Sequence, residues 1–267
     1  MNGTDIKTIS DFGSQWTNFT RNDGYYGSLS LLQDIFGPLL SVDELKGKEL
    51  IEIGSGTGRI VNMTLAAGAS KVTAVEPSEA YQVLKENVKE NSARVRMLNC
   101  PGNQIDFENE FDLALSIGVL HHTTTPAPIL KKMVQSLKPG GKCLIWLYGF
   151  EGNELYLATF GVLRTVTTKL PDPLLFGLAE VLTVAADFYT GLCKFVNLPM
   201  KDYMLNHLGK LDRAARKLTV VDQLNPAYAK YYKKEEALAL MKSAGLVNIK
   251  LHRRHGYSWT VMGEKEQ

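Results

Sequence analysis

A short apolar run, Leu50-Ile-Glu-Ile53, breaks into Gly54-Ser-Gly56-Thr-Gly58-Arg59, and the next apolar run, Val72 to Val75, ends in Glu76. No other feature of the chain restricts its fold so tightly. Glycines at alternate positions can take positive φ and bring backbone amides close against a ligand. A carboxylate ending the next strand can accept both hydroxyls of a ribose. Strand, glycine turn, helix, strand and acid together predict parallel strands with a nucleotide-like ligand over their ends.

Details of the loop choose the ligand. A dinucleotide fingerprint wants its third glycine where Arg59 stands, and a P-loop closes with a lysine followed by Ser or Thr, which is missing here. A cofactor with a ribose but no pyrophosphate needs no anion cradle at the helix start. S-adenosylmethionine (SAM) is such a molecule.

A chain of 267 residues, 45% hydrophobic and 22% charged, suits one globular domain carrying an elaborate insertion. Its net charge of +2 gives no general case for nucleic acid, which is disfavoured as a partner although Lys230 to Lys234 and Arg253-Arg254 mix charge with aromatics. Cys100, Cys143 and Cys193 are scattered without metal-ligand spacing and read as free thiols, so no metal is expected. Asp5 and Asp11 precede any apolar run, which argues against a signal peptide and for a cytoplasmic protein. The greasy stretch from Leu174 to Met200 is interrupted by Glu180, Asp187 and Lys194, which a bilayer-spanning helix would not readily accept. No transmembrane span is expected.

Punctuation and periodicity divide the chain into four parts. Residues 1–47 are an aromatic cover, with Trp16, Tyr25 and Tyr26 and a short helix over 28–40. Residues 48–149 alternate strands at 49–53, 71–76, 95–99, 111–117 and 142–148 with helices at 58–67, 78–91 and from Thr125-Pro126 to Lys138-Pro-Gly-Gly141. Residues 150–227 are a helical insertion divided by prolines. Residues 228–267 resume with a helix over 233–244 and strands over 247–253 and 257–263, too close for a crossover and therefore antiparallel.

Five motifs now stand in one order: Glu52-x-Gly54-x-Gly56-x-Gly58, Val75-Glu76-Pro77-Ser78, Phe111-Asp112, Val119-Leu-His-His122 and Leu137-Lys-Pro-Gly-Gly141. Together they resemble the class I SAM-dependent methyltransferases of the small-molecule type, strongly over residues 48–148 and weakly over 233–263. The resemblance implies an α/β, Rossmann-like fold: a mostly parallel seven-stranded sheet with an antiparallel last strand and a helical lid. It implies that Gly54, Ser55, Gly56 and Gly58 line the methionine and ribose of SAM, with Glu52 orienting the loop or the amino group. Glu76 would hold the ribose, Pro77 and Ser78 would lie beside the adenine, and Ser116, Ile117, Val119 and His121 would follow the methionine moiety. The acid that many relatives carry after strand three is replaced in Asn99-Cys-Pro-Gly-Asn103, which makes Asn103 the substitute contact to the adenine amino group.

His121 and His122 follow a strand that should end at the ligand-binding edge, where an imidazole can take a proton from a hydroxyl. Either could equally fix the loop or pack on the cofactor. The acceptor is expected against Trp16, Tyr25, Tyr26, Tyr148, Asn225, Tyr228 and Tyr232, with the insertion as a lid that excludes water. The expected activity is methyl transfer from SAM to a small-molecule hydroxyl, leaving S-adenosylhomocysteine. An RNA or tRNA acceptor and an inactive SAM-binding partner protein are the alternatives. The apolar excess of the insertion leaves three roles open: a private core, a homodimer contact, or a face that meets a membrane or a lipid-linked substrate.

Overall fold

The computed structural model describes residues 2–267, apart from the side chains of residues 155, 159–162 and 165. One seven-stranded sheet runs in the order β3-β2-β1-β4-β5-β7-β6. Its strands are β1 (Glu49–Ile53), β2 (Lys71–Val75), β3 (Val95–Leu98), β4 (Phe111–Ile117), β5 (Leu137–Tyr148), β6 (Leu246–Arg254) and β7 (Ser258–Lys265). Strands β1 to β5 are mutually parallel, and β7 is antiparallel to both its neighbours. Strand order reverses between β1 and β4, so a crevice opens beyond their carboxyl ends, where α/β sheets bind ligands.

The period-two alternation of strand side chains builds two cores. Leu50 joins Leu31, Phe36, Ile60 and Leu84 on one face of the sheet. Ile51 and Ile53 join Leu130, Met133, Ala237 and Met241 on the other. The first face is covered by α2 (Leu29–Phe36), α3 (Arg59–Ala66) and α4 (Ala80–Asn87), the second by α5 (Pro126–Ser136) and α10 (Lys234–Ser243).

Three expectations shift. The aromatic cover opens with a sixteen-residue helix, α1 (Gly3–Asn18), capped by the Asn2 side chain on the Asp5 amide. The helix expected over 28–40 stops at Phe36, because Gly37 takes φ of +58°. The turn placed at Lys138-Pro-Gly-Gly141 lies inside β5, where the register with β4 slips between Phe111 and Leu113.

The insertion is helical: α6 (Glu154–Thr167), α7 (Asp172–Cys193), α8 (Lys201–Asn206) and α9 (Arg213–Leu224). It leaves the sheet at Gly149 and returns at Tyr232, where the two passes pair: the Tyr232 amide donates to the Tyr148 carbonyl at 2.8 Å and Phe150 donates to Tyr232 at 2.9 Å. α7 packs on α9, with Leu175 and Ala179 against Val221 and Leu224.

Candidate active site

The glycine loop leaves β1 with Gly54, Gly56 and Gly58 all at positive φ. At Gly54 the need is steric as well, since a Cβ there would stand 2.4 Å from Val119 Cγ2. The Glu76 carboxylate braces the loop: Oε2 accepts the Gly56 amide at 2.8 Å, and Oε1 accepts the Ser78 amide at 2.9 Å and the Ser78 hydroxyl at 2.5 Å.

Two cavities, each of about 130 Å3, meet above this loop. The first is bordered by Glu52, Gly54, Ser55, Gly56, Glu76, Pro77 and Ser78, with Ile117, Gly118 and Val119 from the end of β4. The second is an aromatic chamber under the lid, with Tyr26, Trp146, Tyr148, Tyr203 and Tyr257 around Asp222, His207 and Arg254. Phe12, Trp16, Arg59, Ile117, Gly118 and His122 border both. A smaller cleft beside the first holds Pro77, Gly102, Asn103 and Ile129.

His122 closes a short 3-10 turn, Leu120–His122. Its Nδ1 lies 2.8 Å from the Tyr228 carbonyl. A carbonyl only accepts, so Nδ1 carries the hydrogen and Nε2 keeps its lone pair. Burial pushes the imidazole down to about 3, which leaves it neutral at any ordinary pH. His121 points elsewhere: its ring lies on Tyr148, 3.9 Å between centroids, both nitrogens are buried without a partner, and it borders neither cavity. Burial, then the neighbouring His122, hold it well below the usual imidazole range.

Two carboxyls in the site are pushed the other way. Glu52 is raised to about 8 by burial, against the pull of Arg59 and a hydrogen bond with Ser55, and its Oε2 is buried without a partner. Asp222 is raised to about 7, again by burial, opposed by the Gln15 side chain and the Arg59 charge. Gln15 donates to its Oδ1. Asp222 is half-buried and borders the chamber.

The other expected residues divide. Trp16, Tyr26 and Tyr148 border the chamber, as does the Asp222 segment. Asn103 borders the small cleft, and its Oδ1 is buried and unpartnered. Ser116 is buried, with its hydroxyl on the Ile53 carbonyl. Tyr25 packs with the lid under Lys210, Asn225 bonds α1 at the Asp11 carbonyl and Gln15, and Tyr232 sits at the foot of the lid; none of the three borders either of the two cavities. Tyr228 contributes its carbonyl to His122.

Sequence reasoning passed over Arg59, Phe12, Tyr203, His207, Arg254 and Tyr257. Arg59 carried a signal, as the first helical residue after the last loop glycine. Arg254 carried none, because in an Arg-Arg pair it reads as solvated, whereas its side chain is 2% exposed and anchored on Asp34, 220 positions away. Among the described residues no group of His, Cys, Asp and Glu is placed to hold a metal ion.

Residues 51–145 match the family model of a methyltransferase domain. Among curated proteins the chain is similar to the tRNA U34 carboxymethyltransferases of Pseudoalteromonas atlantica, 26% identical over 115 residues, and of Vibrio cholerae, 29% identical over 116 residues. Each similarity covers 42% of this chain and 36% of the relative, so the chain matches about a third of those proteins. Among solved structures, Haemonchus contortus phosphoethanolamine N-methyltransferase 2 superposes with a TM-score of 0.56 at 16% identity, over 98% of this chain and 59% of that one. The Burkholderia thailandensis 1,6-didemethyltoxoflavin N1-methyltransferase gives 0.51 at 16% identity, over 94% and 81%. The fold is therefore that of the class I methyltransferases.

Proposed function

We propose, from the methyltransferase domain and the class I fold, that this chain is a SAM-dependent methyltransferase acting on a small molecule enclosed in the aromatic chamber. The carrying observation is the junction of the two cavities at His122, whose Nδ1 is held by the Tyr228 carbonyl so that Nε2 is the nitrogen left to accept a proton.

The residues of the first cavity suit the cofactor. Two buried oxygens, Glu52 Oε2 and Asn103 Oδ1, have no partner in the protein, and an unsatisfied buried acceptor costs free energy until a donor arrives. Glu52 would take the amino group of the methionine part, Glu76 the ribose hydroxyls and Asn103 the adenine amino group. Solved neighbours hold related ligands: the Haemonchus enzyme was crystallised with S-adenosyl-L-methionine and the Burkholderia enzyme with S-adenosylhomocysteine.

SAM held in the first cavity would supply an electrophilic methyl group to the acceptor oxygen, leaving S-adenosylhomocysteine, and His122 Nε2 would accept the proton that the acceptor hydroxyl gives up. The Tyr228 carbonyl holds the imidazole in the tautomer that can accept it. Phe12 and Trp16 roof the junction and keep water from it. Asp222, Gln223, His207, Arg254 and the surrounding tyrosines offer polar atoms that orient the acceptor in a chamber of mixed aromatic and polar lining.

His122→Ala is expected to bind SAM nearly normally while losing about 10²- to 10⁴-fold in kcat, the usual worth of a general base. Unimpaired turnover by that variant overturns the base assignment. A second reading, an RNA acceptor, draws on the tRNA-modifying relatives. It would require the roof to move aside, and methylation that survives nuclease treatment of the acceptor pool rules it out.

A further inference from the structure

The outward side of α7 differs from the rest of the surface. Large apolar side chains recur on it every seven residues and stand in solvent: Leu174 is 61% exposed, Val181 66%, Phe188 71% and, just past the helix end, Phe195 87%. Three positions after the first three of these come Gly177, Val184 and Gly191. At both glycines an added Cβ would meet nothing within 4 Å, so they are hollows in the outer face. The helix is long and apolar enough to cross a membrane by length and composition, but its inner side is committed. Leu175 and Ala179 pack on α9, and the helix's acids between Leu174 and Cys193, Glu180 and Asp187, pair with Arg213, Lys217 and Arg216 of α9.

The glycines discriminate between the surfaces that could cover this stripe. A glycine inside a helix costs about 1 kcal/mol relative to alanine. Against water or lipid tails nothing offsets that cost, because a side chain there would only add helix stability and apolar area. Against another helix a glycine is a hole that receives a knob, and large residues at a seven-residue interval are the sequence form of such a seam. The stripe also supplies both halves of the fit.

We propose that the outer stripe of α7 docks on α7 of a second copy of this chain, the two helices antiparallel about a twofold axis. In one register Phe188 faces Gly177 of the second copy, Leu174 faces its Gly191, and Val181 faces its Val184. The twofold repeats each contact, as an isologous interface requires. Because the inner side of α7 lies on α9, and Thr219, Asp222 and Gln223 of α9 border the chamber, each copy braces the roof of the other's acceptor site.

Sedimentation equilibrium of the full chain over a micromolar range tests the proposal, with binding to phosphatidylcholine–phosphatidylglycerol vesicles measured alongside. A dimer is expected, and Phe188→Glu should weaken it at least tenfold while circular dichroism and the melting curve stay native. Gly177→Leu and Gly191→Leu are the sharper variants: filling the hollows weakens a helix pair but strengthens attachment to lipid. Under mild oxidation a mixture of Val181→Cys and Val184→Cys proteins should give a crosslink that neither gives alone. A monomer at every concentration, glycine variants that dimerise as well as the parent, or vesicle binding that Gly177→Leu increases, overturns the proposal.

Discussion

His122 and Glu52 are both kept neutral by burial, and the neutral form serves each differently. The imidazole at about 3 keeps its Nε2 lone pair unprotonated at any working pH, but the same burial makes it a weak base, so it can take the proton only as methylation turns the acceptor oxygen strongly acidic. The Glu52 carboxyl, at about 8, holds a proton near pH 7 that it would lose on meeting a cation. Binding a cofactor whose amino group lands on Glu52 should therefore release about one proton from the protein near pH 7, the expected linkage for a pKa drawn down by an opposite charge. Calorimetric titrations with SAM in two buffers of different ionisation enthalpy read that number directly. Glu52→Gln should still bind, more weakly, and release none. A parent protein whose binding enthalpy is the same in both buffers would remove Glu52 from the cofactor's amino group.

The elements differ in how plainly the sequence announced them. Strands β1, β2 and β4 lie close to where apolar runs and punctuation put them, and the glycine loop and Glu76 border one of the two cavities. α1 was missed for a physical reason. Its apolar stripe, Ile6, Ile9, Phe12 and Trp16, is exposed or only half-buried and reads in the sequence as scattered aromatics, while its fully buried positions are Asp5, Thr8, Gly13 and Gln15. Those polar groups are satisfied across the site: Asp5 accepts from Thr124, Gln15 donates to Asp222, and Gly13 comes close to Ser78 and Glu79. The apolar face of α1 borders the first cavity through Ile9, Phe12 and Trp16, and its polar groups make the packed contacts. The end of α2 was misplaced by four residues because Gly37 was not weighed as a stop. Its φ of +58° with ψ of −142°, and the 2.3 Å that would separate an added Cβ from His252 Cδ2, predict that Gly37→Ala destabilises the fold by at least about 1–3 kcal/mol. Urea denaturation would show it as a lowered midpoint with an unchanged slope, whereas a midpoint equal to the parent's would mean the turn relaxes freely.

At the scale of the whole molecule, the lid is fastened to distant parts of the chain by one charged cluster, which the sequence could not reveal because its members lie about 170 and 50 residues apart. His255, at the β6–β7 turn, places Nε2 2.8 Å from Asp34 of α2 and Nδ1 2.6 Å from Asp202 of α8. Arg254 beside it holds Asp34, the His207 ring and the Tyr257 hydroxyl. The hydrogen bond to Asp34 raises the His255 pKa, burial opposes it, and Asp202 raises it further. His252 and His207 face the same cluster, and both are held below the usual imidazole range, by burial first. The folded chain therefore binds the His255 proton more tightly than the unfolded chain does. The stability it adds is fully present below the unfolded value of about 6.5 and is lost as pH rises through the higher folded value. Asp202 is more than half exposed, so screening limits the gain to about 1 kcal/mol. His255→Ala should thus melt below the parent at pH 5.5, and the gap should narrow as the buffer is taken to pH 9. Because α8 is one end of this tie, the same rise in pH should speed proteolysis of the lid in the parent and leave the variant unchanged. A gap that stays constant from pH 5.5 to 9 would show that His255 acts through packing and leaves the lid indifferent to its charge.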